Sequence, residues 1–167
     1  MSNRKLVQSA LFISLALILQ ALRLLIPLPQ AVSTFVIGTL VHMMLVLTLE
    51  FNGLRTALLL GFLLPLTAYL QGQMLLVFLI PVVWLGNTLF SLLLYILSNR
   101  KMLMLCIPPL FKAGAMAVAS WGLMSIFDVN SVAVRNAVLF AMSVPQLVTA
   151  VLGTAFAGFI KLRLRRM

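Results

Sequence analysis

Residues 78–97 read FLIPVVWLGNTLFSLLLYIL. No charged side chain interrupts them, and about 20 such residues are what a helix needs to cross ~30 Å of hydrocarbon. Near the middle, however, stand Pro81, Trp84, Gly86 and Asn87. Lipid gives an asparagine amide no hydrogen-bond partner, so Asn87 must find one inside the protein. The stretch fixes the solvent of the chain and raises the question of what its polar groups do.

The rest of the sequence agrees about the solvent. The chain has 167 residues, of which 63% are hydrophobic and 8% charged. Ordinary water-soluble domains carry roughly 25% charged residues. Transmembrane β-barrels are built from alternating segments of ~10 residues, whereas the apolar runs here are continuous. The expected fold is therefore all-α: a single polytopic membrane domain of six helices, at about 6–26, 31–49, 54–71, 74–98, 102–125 and 137–160. Pro27 and Pro29 close the first helix, since proline lacks an N–H and disfavours helix at the residue before it. EFNGLR, QGQ and SNRK separate the next helices, and FDVNSVAVRNA (127–137) reads as the one long loop. The N-terminal MSNRKLVQSALFISLALILQ has the basic-then-apolar order of a signal peptide. Its apolar part is long and no A-x-A-like site follows, so it reads as a retained first helix.

The net charge of +10 has a topological explanation rather than a nucleic-acid one. With the N-terminus inside, Arg4, Lys5, Arg55, Arg100, Lys101, Lys161, Arg163, Arg165 and Arg166 all fall on the inner side. Arg23 and Arg135 fall on the outer side, and Lys112 lies within a span. That asymmetry predicts N-in and C-in, with the basic tail KLRLRR anchored near anionic headgroups. The expected location is a bacterial cytoplasmic membrane, with both termini cytoplasmic.

Absent residue types narrow the chemistry. The only acids are Glu50 and Asp128, the only histidine is His42 and the only cysteine is Cys106. That leaves no disulfide framework or metal cluster, and no nucleophile–base–orienter set for an integral membrane enzyme. Acidic or histidine relays of the kind proton-driven carriers use are missing, as is a phosphate-cradling glycine loop. No enzyme activity and no cofactor is expected.

The polar residues inside the spans are the candidate site. On the first helix Ala10, Ser14, Leu17 and Ala21 form one stripe, with the small pair Ala10 and Ser14 one turn apart. Ser9, Ala16, Gln20, Arg23 and Pro27 lie on another. Gln20 and Arg23 read either as lining an outward pocket or, for Arg23, as snorkelling to outer headgroups. Thr34, Gly38 and His42 share a face of the second helix, where His42 reads as a packing residue or as a ligand. Trp84, Asn87 and Ser91 share a face of the fourth. Lys112 follows Pro108 and Pro109 in the fifth and is costly there unless it pairs, neutralises or meets water. Its candidate partners are carbonyls freed by the prolines, or a ligand anion. Gln146, Ala150, Gly153 and Ala157 form a small stripe on the sixth helix, suited to close packing, and Gln71 and Gln73 cap the outer turn. Gln20, Arg23, His42, Gln73, Trp84, Asn87, Lys112 and Gln146 are thus the candidate lining of an outward-open pocket.

The chain resembles the substrate-binding S components of energy-coupling-factor (ECF) transporters over almost its whole length. The similarity lies in the six-helix plan and in ALFISLALILQ (10–20), QGQMLLVFLIPVVWLGN (71–87), PPLFKAGAM (108–116) and PQLVTAVLGTAFAG (145–158). The family's Ala-x-x-x-Ala form stands here as Ala10-x-x-x-Ser14. The resemblance implies an S-component-like bundle that captures a vitamin or related micronutrient from outside. It implies docking through Ala10, Ser14 and Ala21 on a transmembrane coupling subunit energised by two cytosolic ATPases. The substrate is then a vitamin-like small molecule, anionic if Lys112 and Arg23 both face it, with Trp84 placed to stack on a ring. Two alternatives stand beside it: a membrane scaffold resembling the rod-shape protein MreD, and a small transporter or channel that works alone.

Overall fold

The computed structural model describes residues 3–26, 29–74 and 76–164, apart from the side chains of Gln30, Lys101 and Leu164. Pro27, Arg165 and Arg166 lie outside the described residues. Six helices run α1 (Asn3–Leu25), α2 (Gln30–Asn52), α3 (Leu54–Leu70), α4 (Leu79–Ile96), α5 (Lys101–Ile126) and α6 (Val132–Leu164). Among the described residues there is no strand. Five of the helices are long and apolar enough to cross a membrane, and α3 is a shorter apolar helix of 17 residues. By length and composition this is the architecture of a multi-pass membrane protein.

Short connections make the helices alternate in direction. Gly53 alone joins α2 to α3; its φ of 85° lies in the region where a Cβ is unwelcome, and glycine has none. One end of the bundle therefore gathers the start of α1, the α2–α3 turn, the α4–α5 turn and the end of α6. It carries Arg4, Lys5, Arg55, Arg100, Lys161 and Arg163, and an ion pair between Lys161 and Glu50 fastens α6 to α2 there. We call it the basic end.

The long loop expected before α6 is mostly helix. Val132 opens α6, and the Ser131 hydroxyl accepts from the Val134 N–H at 3.4 Å, so serine satisfies a donor that the first helical turn leaves bare. Arg135, within that segment, donates to Ser125 Oγ on α5 at 3.2 Å. At 33 residues, α6 is about 50 Å long at 1.5 Å per residue and outreaches the hydrocarbon at one or both ends.

α2 is the hub, touching α1, α3, α4 and α6, while α1 touches only α2 and α3. In the most apolar window of each helix, 56% of α2 is buried but only 17% of α1. α1 packs through Ser9, Ala16 and Gln20, the second of the two stripes read from the sequence. Ala10 and Ser14 on the first stripe are exposed, and Ala21 is half-buried. The small residues of α6 serve close packing, as expected. A Cβ on Gly153 would stand 2.6 Å from His42 Cβ, 2.7 Å from the Met43 nitrogen and 2.9 Å from the Thr39 oxygen. Only glycine lets α6 approach the α2 backbone so closely.

Candidate functional site

Asn87 finds its partners on two other helices. Its amide nitrogen donates to the Gly61 carbonyl of α3 at 3.0 Å. In an unbroken helix that carbonyl would accept from the N–H four residues on, but residue 65 is a buried proline inside α3 and has no N–H to give. Asn87 therefore supplies the hydrogen that Pro65 withholds. Orienting the amide this way turns its oxygen toward α5, where Lys112 Nζ donates to it at 2.6 Å.

The same ammonium lies 2.6 Å from His42 Nε2 on α2. The other imidazole nitrogen, Nδ1, is 2.7 Å from the Gly38 carbonyl. A carbonyl only accepts, so Nδ1 carries the hydrogen, and in the neutral ring Nε2 is left as an acceptor for Lys112. The tautomer is thus set by the network. The chain of bonds runs from Gly38 through His42, Lys112 and Asn87 to Gly61, joining α2, α5, α4 and α3. The Phe90 ring completes the surround: its centroid lies 5.5 Å from Lys112 Nζ, within cation–π range, and 5.7 Å from the His42 ring, edge to face.

Burial makes this cluster energetically consequential. Lys112 is 1% exposed, Asn87 4% and His42 5%. Lys112 lies eleven residues into α5, Asn87 eight into α4 and His42 twelve into α2, so all three sit in the middle of the bundle. Three glycines seat them. Gly153 backs His42 and Gly61 backs Asn87, where an added Cβ would stand 3.1 Å from Asn87 Cβ. A Cβ on Gly86 would meet Met116 at 2.5 Å and the Lys112 stem at 3.5 Å.

The other expected site residues lie elsewhere. Gln20 is buried and donates to the Leu64 carbonyl at 3.1 Å and to Thr67 Oγ1 at 3.2 Å. Gln73 donates to the Gln20 carbonyl at 3.3 Å and to Gln71 Oε1 at 2.6 Å. Arg23 neither reaches Lys112 nor snorkels free: it donates to Ser33 Oγ at 3.0 Å and Thr34 Oγ1 at 2.6 Å. These residues form a polar seam between α1, α2 and α3 at the end opposite the basic one. Trp84 does not share the buried face of Asn87 and Ser91. It is 45% exposed and packs edge-on against Phe62, centroid to centroid 5.4 Å. Three residues of helix rotate it about 60° from Asn87, enough to leave the interior. Gln146 is half-buried on α6.

The sequence reading missed the direct Lys112–His42 pairing and the part of Phe90. It also assigned the freed carbonyl to the wrong prolines. The carbonyl that matters belongs to Gly61, freed by Pro65, and Asn87 takes it rather than Lys112. Pro108 and Pro109 leave the carbonyls of Met104 and Leu105 without an intrahelical N–H, and these two residues line a cavity of about 420 Å³ at the basic end. Val46, Glu50, Phe159 and Lys161 share that cavity; the pocket expected from the sequence was at the opposite end. Among the described residues no cluster of His, Cys, Asp and Glu has the makings of a metal site.

Comparison with protein-family models, with curated proteins and with solved structures finds no match for this chain.

Proposed function

We propose that this chain is the substrate-binding membrane subunit of an ECF-type importer, seated N-in and C-in, that takes up a vitamin-like micronutrient. In this reading the bundle holds the substrate, and a coupling subunit with two ATPases drives its delivery inward. The observation that carries the proposal is the division of labour between α1 and the rest. α1 is the least buried of the five long helices and presents Ala10 and Ser14 outward, a surface on which a partner helix can approach closely. The interior polar groups of α2, α4 and α5 meet at Lys112, and polar groups inside membrane helices usually mark a substrate path. The concentration of cations at one end supports the orientation.

The test is co-expression with a coupling subunit and its ATPases. Ala10→Trp with Ser14→Trp loses the complex while the isolated chain keeps its thermal stability, because both positions are exposed. Full retention of the complex by that double variant contradicts the docking face.

One observation favours a second reading, the MreD-like scaffold: Gln20, Arg23, Gln73, Asn87 and Lys112 are all bonded within the bundle. Purification from complex medium followed by mass spectrometry of released small molecules separates the two. An importer subunit brings a specific molecule with it, and a scaffold brings only lipid.

A further inference from the structure

Lys112 is a buried amine whose protonated form has no counter-charge. Its polar partners, His42 Nε2 and Asn87 Oδ1, are both neutral acceptors. The chain holds only two acids. Glu50 is engaged with Lys161 at the basic end, and Asp128 follows α5 in the turn before α6. An ammonium offers three hydrogens; two have acceptors, and an aromatic face stands near for the third. Neutral hydrogen bonds satisfy the donors but give the protonated form no counter-charge, in a medium where Coulomb attraction is strong.

Two further buried hydroxyls stand unpaired on the helices that carry Asn87 and Lys112. Ser91 Oγ has no hydrogen-bond partner and is 1% exposed. It lies one helical turn from Asn87, along the same buried face of α4. Ser120 Oγ, two turns from Lys112 on α5, is likewise buried and unpaired. A buried hydroxyl left without a partner is uncommon in native proteins.

We propose that Lys112 binds the carboxylate of a small monoanionic substrate, with Ser91 as a second donor and the substrate's apolar body lying toward Met116 and Val82. The proposal rests on the importer reading and narrows its substrate to monocarboxylates. The carboxylate takes the place of Asn87 Oδ1 on the ammonium, while the Asn87 amide keeps its bond to Gly61. Met116 lies over Gly86 one turn from Lys112. It is an unbranched, readily repacked side chain, which makes it the element that moves aside. A phosphate monoester is disfavoured because a dianion calls for a second cation, and Arg23 is committed to Ser33 and Thr34 near the end of α1.

The single histidine makes the site directly observable. In lipid nanodiscs, the ¹⁵N signals of the His42 imidazole are followed during titration with butyrate, hexanoate and octanoate. Chloride and inorganic phosphate at equal ionic strength serve as controls. The expected result is a saturable shift with a monocarboxylate only. Lys112→Met weakens it at least about thirtyfold, as expected when one partner of a buried charge pair is removed. Ser91→Ala, which breaks no existing bond, leaves the ligand-free spectrum unchanged and weakens binding about threefold or more. Absence of a saturable shift with all three monocarboxylates overturns the proposal, as does an equal response to phosphate or chloride, or an equal response in Lys112→Met. Unchanged affinity in Ser91→Ala overturns the serine's share. Failure of the importer reading looks different: a chain that binds monocarboxylates but captures no coupling subunit keeps this site and loses that role.

Discussion

The core is not one material from end to end. On the basic side of the Lys112 cluster it is broad and mostly branched and aromatic: Leu45, Val46, Leu60, Phe90 and Leu94, with Met44 the one buried thioether in it and Ala150 and Ala157 letting α6 in close. Toward the opposite end a smaller cluster of Leu79, Val82, Met116 and Met142 takes over, with Met74, Phe78 and Val138 against it. The polar cluster lies at the seam, since Asn87 falls between Val82 and Phe90 along α4. The difference teaches which half holds the shape and which half yields. Where glycine meets backbone, as at Gly153, the contact is fixed. Where glycine meets a thioether, as at Gly86, the neighbour can move.

The largest expected effect tests the rigid side. Gly153→Ala drives a methyl into the Met43 nitrogen and the Thr39 oxygen, neither of which can rotate away. It costs about 3 kcal/mol, the upper part of the range for overpacking, read by denaturation in mixed micelles.

Asn87→Leu comes next. It leaves the Gly61 carbonyl bare and takes an acceptor from Lys112, at a cost of about 2 kcal/mol. Pro65→Ala restores an N–H for Gly61, so in that background the same change costs about 1 kcal/mol less. A double-mutant cycle measures the difference, and equal costs in both backgrounds would show that the amide does not serve that carbonyl.

A smaller effect belongs to the yielding half. Gly86→Ala meets Met116 at Cγ and Sδ, both 2.5 Å away, so the thioether must repack; helix propensity offsets part of that, and the net cost stays below that of Gly153→Ala, at about 1–2 kcal/mol. If Gly86→Ala and Gly153→Ala prove equally damaging, the contrast between the two halves is wrong. Gln20→Leu removes two bonds from α1 to α3 and costs about 1 kcal/mol.

Much of the fold was legible because each span is a long apolar run between breakers, and those runs fell within a few residues of the helices, the largest offsets being five residues at the starts of α4 and α6. At α6 the helix begins inside the expected loop, and Arg135 has a helix-to-helix partner in Ser125. Of the eight candidate residues, His42, Asn87 and Lys112 meet in one buried cluster, and how they connect was not legible. Asn87, His42 and Lys112 stood out because each is expensive in a bilayer. Their pairing joins residues 25 and 70 positions apart, and no local periodicity encodes it. Pro65 was the signal that went unused: four residues after Gly61, it announces a carbonyl in need of a donor. Trp84 was misplaced because a shared face was drawn too wide, and a rotation of about 60° separates lipid from interior.

The central claim is that Lys112 is held at the middle of the bundle by the Nε2 atom of His42. The most direct measurement is the ¹⁵N spectrum of that imidazole in the ligand-free chain. The account predicts a single neutral tautomer with hydrogen on Nδ1, and an Nε2 signal that moves when Lys112 is replaced by methionine. Hydrogen on Nε2, or a spectrum indifferent to Lys112→Met, would contradict it.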